Sequence, residues 1–225
     1  MIGKGKSISH GVAALEYDLA KEINGQAVAT EIARHELYGC TGAEMVQEMK
    51  PYHIDFPNVK NNCLRFEVSP SIEESATFTD ADWAELGNDF MQRMGLANHQ
   101  YIIIRHSGTE SKKEQAHLHI LANRVSLSGE LYRDNWIGKK ATEAANAIAK
   151  ERNFVQSQDI GKVNKAEIKE AMDGVLKKMQ GFDFTKFKEE LGKRGFKVRE
   201  ARASTGKLNG YYVTARSGTE YKASE

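Results

Sequence analysis

The 225-residue sequence contains few of the residues that mark secreted or membrane-inserted proteins. Its two cysteines, Cys40 and Cys63, are too few for a disulfide framework and form no metal-ligand pattern. No apolar run approaches the roughly 20 residues that cross a bilayer. The first residues, MIGKGKSISHG, lack the apolar core of a secretory signal. These absences predict a protein of the reducing cytoplasm with no membrane insertion.

Net charge is also small, at +1, so the total gives no sign of a polyanionic partner. The two parts of the chain nevertheless differ in charge. Residues 1–100 carry 8 Lys and Arg against 15 Asp and Glu, whereas residues 101–225 carry 24 against 16. A basic second half is consistent with a phosphate-binding face. It is equally consistent with solvated helix surfaces, and the count does not decide between them.

The pattern of apolar residues predicts a mixture of helices and strands. Two of the three prolines fall in PYHIDFPNVKNN, which is a predicted loop. Helices are predicted over 11–23, 26–39, 79–94 and 138–153 and in two segments after 163, and strands over 63–69, 101–106, 117–125, 195–201 and 210–216. This mixture predicts an α+β fold of two layers, in which a central antiparallel sheet carries the histidines and helices pack on it.

Two of the predicted helices begin with a capping signature. Thr79 followed by Asp82 predicts a capping box, and Gly95 predicts the end of that helix. Asn164 with Glu167 predicts the start of a later one. The buried face of the first of these helices is predicted to contain Trp83, Leu86, Phe90 and Met94.

The segment HSGTESKKEQAHLHILANRV, residues 106–125, concentrates histidine. Side chains alternate along a strand, so His117 and His119 are predicted to project to the same side, roughly 6–7 Å apart. The strands 101–106 and 117–125 are joined by a polar loop, which favours an antiparallel hairpin. His106 then lies beside the start of the second strand. Three imidazoles at one end of a sheet predict a metal site with open coordination positions.

Other readings of these histidines are less well supported. Cupin barrels also use a His-x-His pair but add a glutamate a few residues after it, and residues 120–129 contain no acid. Two-histidine phosphoesterases need a hydroxyl residue two places after a histidine in a repeated motif, which is absent from this sequence. The remaining histidines show no comparable spacing: His10, His35, His53 and His99.

Tyr17 stands out in the first predicted helix. It lies two residues from both Leu15 and Leu19, which places it opposite an apolar stripe of Val12, Leu15, Leu19 and Ile23. Its own face carries Ala13 and Ala20, so the ring is not crowded. A tyrosine in this position is accessible to a substrate, although an ordinary half-exposed tyrosine gives the same pattern.

Taken together, these segments resemble the relaxase, or mobilization nuclease, family of plasmids and mobile elements. The similar parts are MIGKGKS, Tyr17 in ALEYDLAKE, the segment from SPSIEES to YIIIRH, and HLHILANRV. The closing stretch from FKEELGKRG to YKASE is also similar, so the resemblance covers nearly the whole chain. It predicts one relaxase domain over 1–225 that continues into a longer protein, with 163–225 as its C-terminal helical and two-strand portion.

The resemblance implies the chemistry. Tyr17 is predicted to attack a phosphodiester of one DNA strand at a transfer origin, to retain a 5′-phosphotyrosyl link and to allow later rejoining. His106, His117 and His119 are predicted to hold a divalent metal, which the resemblance implies to be Mg²⁺ or Mn²⁺. Imidazoles also suit other transition metals. A rolling-circle replication initiator of the same chemistry, and a non-catalytic metal-containing single-strand DNA-binding module, remain as alternatives.

The sequence also departs from the family pattern. Gly108 stands where the family often has an aspartate two residues after the first histidine, and the loop to His117 is longer than usual. The carboxylate that orients a ligand histidine must then come from elsewhere. Glu67 is the first candidate and Glu110 the second. Tyr38 and Tyr52 are weaker candidates for the nucleophile than the tyrosine of the first helix.

The predicted partner is single-stranded DNA at a transfer origin, with adjacent duplex or hairpin. Accessory mobilization proteins and a coupling protein are further expected partners. Trp136 or a tyrosine is predicted to stack on bases, and the sequence does not rank them. Six cations are candidate phosphate contacts: Lys4, Lys6, Arg105, Arg124, Lys139 and Lys140.

Overall fold

The computed structural model describes residues 1–108, 115–204, 206–216 and 218–223. The chain forms two compact units, Met1–Ser157 and Gln158–Glu225. All three candidate metal ligands and Tyr17 lie in the first unit. The predicted C-terminal portion, 163–225, begins just inside the second unit. That this portion belongs to the same relaxase domain as the first unit stays a prediction. No helix in the described residues is long and apolar enough to span a membrane.

A five-stranded sheet forms the centre of the first unit. Its strands are β1 (Ile2–Ile8), β4 (Ala29–His35), β5 (Cys63–Ser69), β6 (His99–His106) and β7 (His117–Ser126). Their order in the sheet is β1-β5-β7-β6-β4, and each neighbouring pair is antiparallel. The short strands β2 (Glu22–Ile23) and β3 (Gln26–Ala27) pair separately. The predicted α+β class and the central antiparallel sheet that carries the histidines are confirmed.

Helices cover both faces of this sheet. On one face, α4 (Asp80–Arg93) and α5 (Ile137–Glu151) bury a cluster around Phe66, Phe90 and Ile103. On the other face, α1 (Gly11–Leu19) and α2 (Gly42–Met49) bury a smaller cluster around Leu15 and Leu121. Short helical segments lie at α3 (Ile72–Ser75) and at the 3-10 turn Lys50–His53.

Local sequence explains several of these elements. Thr79 and Asp82 form the predicted capping box at the start of α4, and its four predicted core residues are buried. Gly95 has φ +73°, a left-handed conformation suited to glycine, just after the helix. Gly3 lets α5 approach β1 closely, because a Cβ at that position would collide with the carbonyl oxygen of Ala141.

Two predictions about the first unit were wrong. Residues 26–39 form no helix, because 29–35 is the edge strand β4 that pairs with β6. This edge strand is partly exposed on both sides, so it shows no clean alternation of buried and exposed residues. The first predicted helix, 11–23, ends at Leu19, and Val12 of its stripe is exposed. Strand β1 and helix α2 were not predicted from the sequence.

The described residues of the second unit form two helices and a small sheet. After α6 (Ser157–Leu176) come α7 (Phe184–Lys193) and the strands β8 (Lys197–Arg202), β9 (Leu208–Thr214) and β10 (Glu220–Lys222). The sheet order is β10-β9-β8, and Phe187, Leu191 and Phe196 lie in the core. Asn164 was wrongly predicted to cap a helix. It lies within α6, buried, and donates to the Tyr221 hydroxyl at 3.0 Å.

Candidate active site

Three imidazole rings converge at one end of the central sheet. His106 ends β6 and lies directly opposite His117, which begins β7. The ring centroids of His106 and His119 are 4.4 Å apart, and those of His117 and His119 are 4.9 Å apart. Each of the three residues offers a ring nitrogen within 4.8 Å of the other two. The convergence predicted from strand alternation and the hairpin is therefore present, and the role of the rings as metal ligands stays a prediction.

The hydrogen bonds of two rings leave one nitrogen of each for a ligand role. His106 Nε2 lies 2.7 Å from the backbone carbonyl of Asp18, and His117 Nδ1 lies 3.2 Å from the carbonyl of Gln115. Each of these nitrogens donates its proton to the carbonyl, so the opposite nitrogen carries a lone pair. His117 Nε2 and His119 Nε2 are 3.1 Å apart. Two imidazole nitrogens that bind the same metal ion, each at about 2.1 Å from it, are separated by roughly this distance.

Burial favours the neutral, ligand form of His106 and His119. It lowers the pKa of His106, and it lowers the pKa of His119 to about 2, with the neighbouring His106, His117 and Arg65 contributing in the same direction. A neutral imidazole has the lone pair that a metal ion needs. Three clustered imidazole nitrogens fit a divalent transition metal well.

A buried ion pair joins helix α1 to this cluster. The Asp18 side chain is 2% exposed and forms a two-pronged salt bridge with Arg65, whose Nε donates to Asp18 Oδ2 at 3.0 Å. Asp18 Oδ1 is 3.8 Å from His119 Nδ1, and Arg65 lies 3.4 Å from the same nitrogen. Because its backbone carbonyl also accepts from His106, Asp18 contacts two of the three histidines.

Tyr17 precedes Asp18 on α1 and is exposed, whereas Asp18 is buried. The Tyr17 side chain is 55% exposed, as the helical spacing predicted. Lys21, one turn later, donates to the Tyr17 hydroxyl at 2.6 Å, and its ammonium also lies over the ring at 4.8 Å from the centroid. Asp18, the neighbour of Tyr17, therefore anchors the helix that carries the Tyr17 phenol.

A basic groove lies beside His119. It has a volume of about 220 Å³ and is lined by Lys4, Lys6, Arg65, Glu67 and His119, together with Gly5 and Phe66. Lys4 is opposite Glu67 in the strand register, and Glu67 is opposite His119, so the three side chains form a row on one face. Lys4 donates to Glu67 at 3.0 Å, and both side chains are exposed. Two of the candidate phosphate contacts therefore lie next to the histidine cluster.

The other four candidate cations lie elsewhere. Arg105 precedes His106 and points to the opposite face of the sheet, where it pairs with Asp80. Arg124 donates to the carbonyls of Tyr132 and Asn61 and to Asp134, so its guanidinium is held within the fold. The remaining two are on α5: Lys139 near Glu143 at 3.8 Å, and Lys140 donating to the Arg133 carbonyl at 2.7 Å. Contact of these cations with DNA stays a prediction.

Similarity to known proteins agrees with this arrangement. The family profile of the MobA/VirD2-like relaxase nuclease domain matches residues 17–154, more than half of the chain. The chain belongs to this relaxase family. It is thus the nuclease domain of a DNA relaxase, and the matched region begins at Tyr17 and contains all three clustered histidines. No curated protein matches the sequence.

Two solved structures of conjugative relaxase TrwC in complex with oriT DNA are similar to this relaxase domain. The metal-free structure has 10% sequence identity and a TM-score of 0.42, covering 92% of this chain and 74% of that one. The metal-bound structure has 11% identity and a TM-score of 0.41, covering 99% of this chain and 75% of that one.

Asp18 and Arg65 are site residues that the sequence pattern did not predict. Of the two carboxylates proposed to orient a histidine, Glu67 contacts Lys4, and Glu110 lies outside the described residues. Asp18 is the carboxylate that approaches His119 most directly among the described contacts, at 3.8 Å. One signal for it was present, because Asp18 lies three residues after Leu15, on the buried face of the predicted helix.

We expect Asp18→Ala to destabilise the domain by about 3 kcal/mol. Removing one partner of a buried ion pair leaves the other charge poorly solvated, and such losses are roughly 3–5 kcal/mol. Arg65 retains some solvent contact, at 20% exposure, which favours the lower end of that range. Urea denaturation of the metal-free protein measures the loss. Glu67→Ala is the matched control, since its exposed pair with Lys4 is worth less than about 1 kcal/mol. Equal losses in both variants would contradict a special role for the buried pair.

Stability of the metal-free domain is expected to fall as the pH decreases below about 6.5. A histidine whose folded pKa is lowered binds its proton more readily when unfolded, so its contribution is present above the unfolded pKa and is lost as the pH falls. For His119 the window extends from the unfolded value down to about 2. The loss between pH 7 and pH 5 amounts to about 2 kcal/mol for this residue, by the proton linkage relation.

Burial lowers the pKa of His106 and His99 as well, which adds to the same trend. Urea denaturation at the two pH values in the presence of a chelator measures the effect. His119→Gln is expected to reduce the pH dependence, because glutamine does not titrate. A pH dependence that is as steep in this variant as in the wild type would show that His119 does not contribute.

Proposed function

We propose that this relaxase domain nicks one DNA strand at a transfer origin with Tyr17 as the nucleophile, and that the three clustered histidines hold a divalent metal for the reaction. The observation that carries the proposal is the junction of α1 with the cluster. Asp18 contacts His106 through its carbonyl and approaches His119 through its carboxylate, while the adjacent Tyr17 is presented to solvent.

The ligands in this proposal are His106 Nδ1, His117 Nε2 and His119 Nε2. The hydrogen bonds of two of these rings support this assignment. In His106 and His117 the other ring nitrogen donates its N–H to a backbone carbonyl, which fixes the tautomer that a metal ligand needs. Neutral imidazoles favour Mn²⁺ or another transition metal over Mg²⁺, which prefers oxygen ligands. When bound, such an ion polarises the phosphate oxygens and stabilises the charge that develops on them.

In the proposed reaction, the Tyr17 hydroxyl oxygen attacks the scissile phosphorus. A bond forms between the tyrosine oxygen and phosphorus, the bond from phosphorus to the 3′ oxygen breaks, and the phenol proton is lost as the departing 3′ oxygen gains one. The products are a 5′-phosphotyrosyl link and a free 3′-OH. Because the new phosphodiester retains the bond energy, the reverse attack by the 3′-OH rejoins the strand without ATP.

The surrounding residues would position the two reactants. Lys21 holds the Tyr17 hydroxyl, and the Asp18–Arg65 pair fixes α1 against the histidines. Lys4 and Lys6 in the groove beside His119 are suited to bind phosphates of the same strand. Glu67 then acts on the groove by holding Lys4, and the Asp18–Arg65 pair borders His119, with Arg65 3.4 Å from His119 Nδ1.

The proposed substrate is single-stranded DNA of the transfer origin, contacted together with adjacent duplex or hairpin. Accessory mobilization proteins and a coupling protein are proposed partners of the full system. The groove next to the histidine cluster contains two lysines and one arginine, which favours a DNA strand bound through its phosphate backbone.

The test is formation of a covalent adduct. The protein is incubated with Mn²⁺ and an oligonucleotide of its own origin, labelled on the 3′ side of the nick, and the mixture is analysed on a denaturing gel. We expect a labelled species that migrates with the protein. Failure to form it with any supplied origin strand, while binding of those strands persists, would favour a non-catalytic binding module.

A further inference from the structure

Trp136 is unusually exposed for its size. Its side chain is 80% exposed, whereas the other tryptophan, Trp83, is 2% exposed in the core. Its backbone is also left-handed, with φ 59° and ψ 28°. That conformation is disfavoured for residues with a Cβ and rare for a bulky side chain. Neither packing nor backbone preference therefore explains a tryptophan at this position.

The turn that presents Trp136 is held firmly from within the fold. Arg124 donates to the carbonyl of Tyr132 at 3.1 Å and to Asp134 at 2.6 Å. Lys140 donates to the carbonyl of Arg133 at 2.7 Å, and its ammonium lies over the Tyr132 ring. The next residue, Ile137, is buried. An exposed indole on a turn whose backbone is held in place is well suited to stacking, because the turn need not be ordered when a ligand binds.

Trp136 is the N-cap residue of α5, the helix that packs on the edge strand β1 from the face opposite to the Lys4 and Lys6 side chains, so a DNA strand that crosses this edge reaches both. It precedes the first turn of α5, where a Cβ on Gly138 would lie 3.5 Å from the carbonyl oxygen of Gly5. Gly5 lies between Lys4 and Lys6 and lines the basic groove beside His119. The exposed cations Arg133 and Lys139 flank the indole in sequence, and the nearby acids are paired: Asp134 with Arg124, and Glu143 with Lys139. The surroundings are therefore favourable for a polyanion.

We propose that Trp136 stacks on a base of the single-stranded DNA that the basic groove holds by its phosphates. Stacking on an aromatic ring needs a base that is free of its partner, so the indole selects single-stranded over duplex DNA. This inference deepens the proposed function and rests on it only for the identity of the strand. The Arg124 and Lys140 contacts hold the turn that precedes the indole.

The experiment measures binding without cleavage. The Tyr17→Phe protein, in EDTA and low salt, is titrated with a single-stranded dT20 oligonucleotide and, separately, with a duplex of the same length. We expect dT20 to quench the tryptophan emission and the duplex to leave it nearly unchanged. Trp83 is buried, so the change reports Trp136. Because neither metal nor Tyr17 is required, this result is independent of whether the adduct forms.

Affinity provides the second measurement. Trp136→Ala is expected to weaken dT20 binding by about five- to tenfold or more, within the range that loss of one stacked base produces. Trp136→Phe is expected to retain most of the affinity. Tyr38→Ala, which removes another aromatic ring that is 77% exposed, is the matched control and is expected to bind normally. Unquenched emission, or Trp136→Ala binding within twofold of the parent, would overturn the proposal.

Stability distinguishes stacking from a structural role. Trp136→Gly removes the exposed indole, and glycine adopts the left-handed backbone conformation without the steric cost of a Cβ. We expect its melting temperature to equal or exceed that of the parent, together with the same loss of dT20 affinity as in Trp136→Ala. A clear decrease in melting temperature would assign Trp136 to the fold and count against the proposal.

Discussion

Tyr17→Phe is expected to eliminate the covalent protein–DNA adduct, with a loss of about a thousandfold or more in its rate of formation. The change removes one oxygen from a side chain that is 55% exposed, and with it the hydrogen bond from Lys21. The fold does not depend on that oxygen, so DNA binding and melting temperature are expected to stay close to the wild type. The measurement is the labelled adduct on a denaturing gel, in parallel with binding of the same oligonucleotide.

Tyr38→Phe is the matched control for this experiment. Tyr38 is 77% exposed and its hydroxyl lies 3.1 Å from a Glu36 carboxylate oxygen, so it is as accessible as Tyr17 but is not on α1. Its variant is expected to form the adduct at the wild-type rate. If the adduct persisted in Tyr17→Phe and disappeared in Tyr38→Phe, the nucleophile would have to be reassigned, and the junction of α1 with the histidines would lose its proposed meaning.

The histidine cluster could be predicted because it depends on local geometry alone. Alternation along one strand puts His117 and His119 on one face, and a hairpin with a polar loop brings the end of the preceding strand alongside. The observed pairing of His106 with His117 needs no other information. Local sequence also predicted both ends of the strand 63–69 and the start of the helix that Thr79 caps.

The Asp18–Arg65 pair could not be predicted in the same way, because its two residues are 47 positions apart and meet only when α1 packs on β5. The sequence shows an acid on the apolar side of a helix and an arginine in a strand, but not that they are partners. The exposed edge strand β4 is a similar case. Its pairing with β6 is a tertiary contact, and its sequence lacks the alternation that marks a half-buried strand.

The phosphate contacts show how far proximity in sequence can mislead. Arg105 is adjacent to His106, yet in a strand adjacent residues point to opposite faces, and Arg105 indeed pairs with Asp80 on the far side. Arg124 also points to the face of the sheet opposite His117 and His119, and its guanidinium is hydrogen-bonded to the Tyr132 carbonyl and to Asp134. Lys4 and Lys6, more than a hundred residues from His119 in sequence, are the two candidates beside it.

Loss of one clustered histidine is expected to have an effect nearly as large as loss of Tyr17. His117→Ala is the preferred variant, because His117 contacts the carbonyl of Gln115 and the ring of His119, whereas His106 also anchors Asp18. We expect adduct formation in saturating Mn²⁺ to decrease by about 10²- to 10³-fold, since the ion supplies several kcal/mol of charge stabilisation. EDTA is expected to stop the wild-type reaction, and added Mn²⁺ to restore it.

Direct titration of Mn²⁺ into the DNA-free protein separates metal binding from chemistry. The wild type is expected to bind one ion, His117→Ala to bind it at least tenfold more weakly, and His10→Ala, which changes an exposed histidine outside the cluster, to bind it normally. If His117→Ala bound Mn²⁺ as tightly as the wild type but lost activity, the imidazole would act on the DNA rather than on an ion. If adduct formed in EDTA at the full rate, the neutral imidazoles would have a structural role, and the developing charge would have to be stabilised by Arg65 and the lysines of the groove instead.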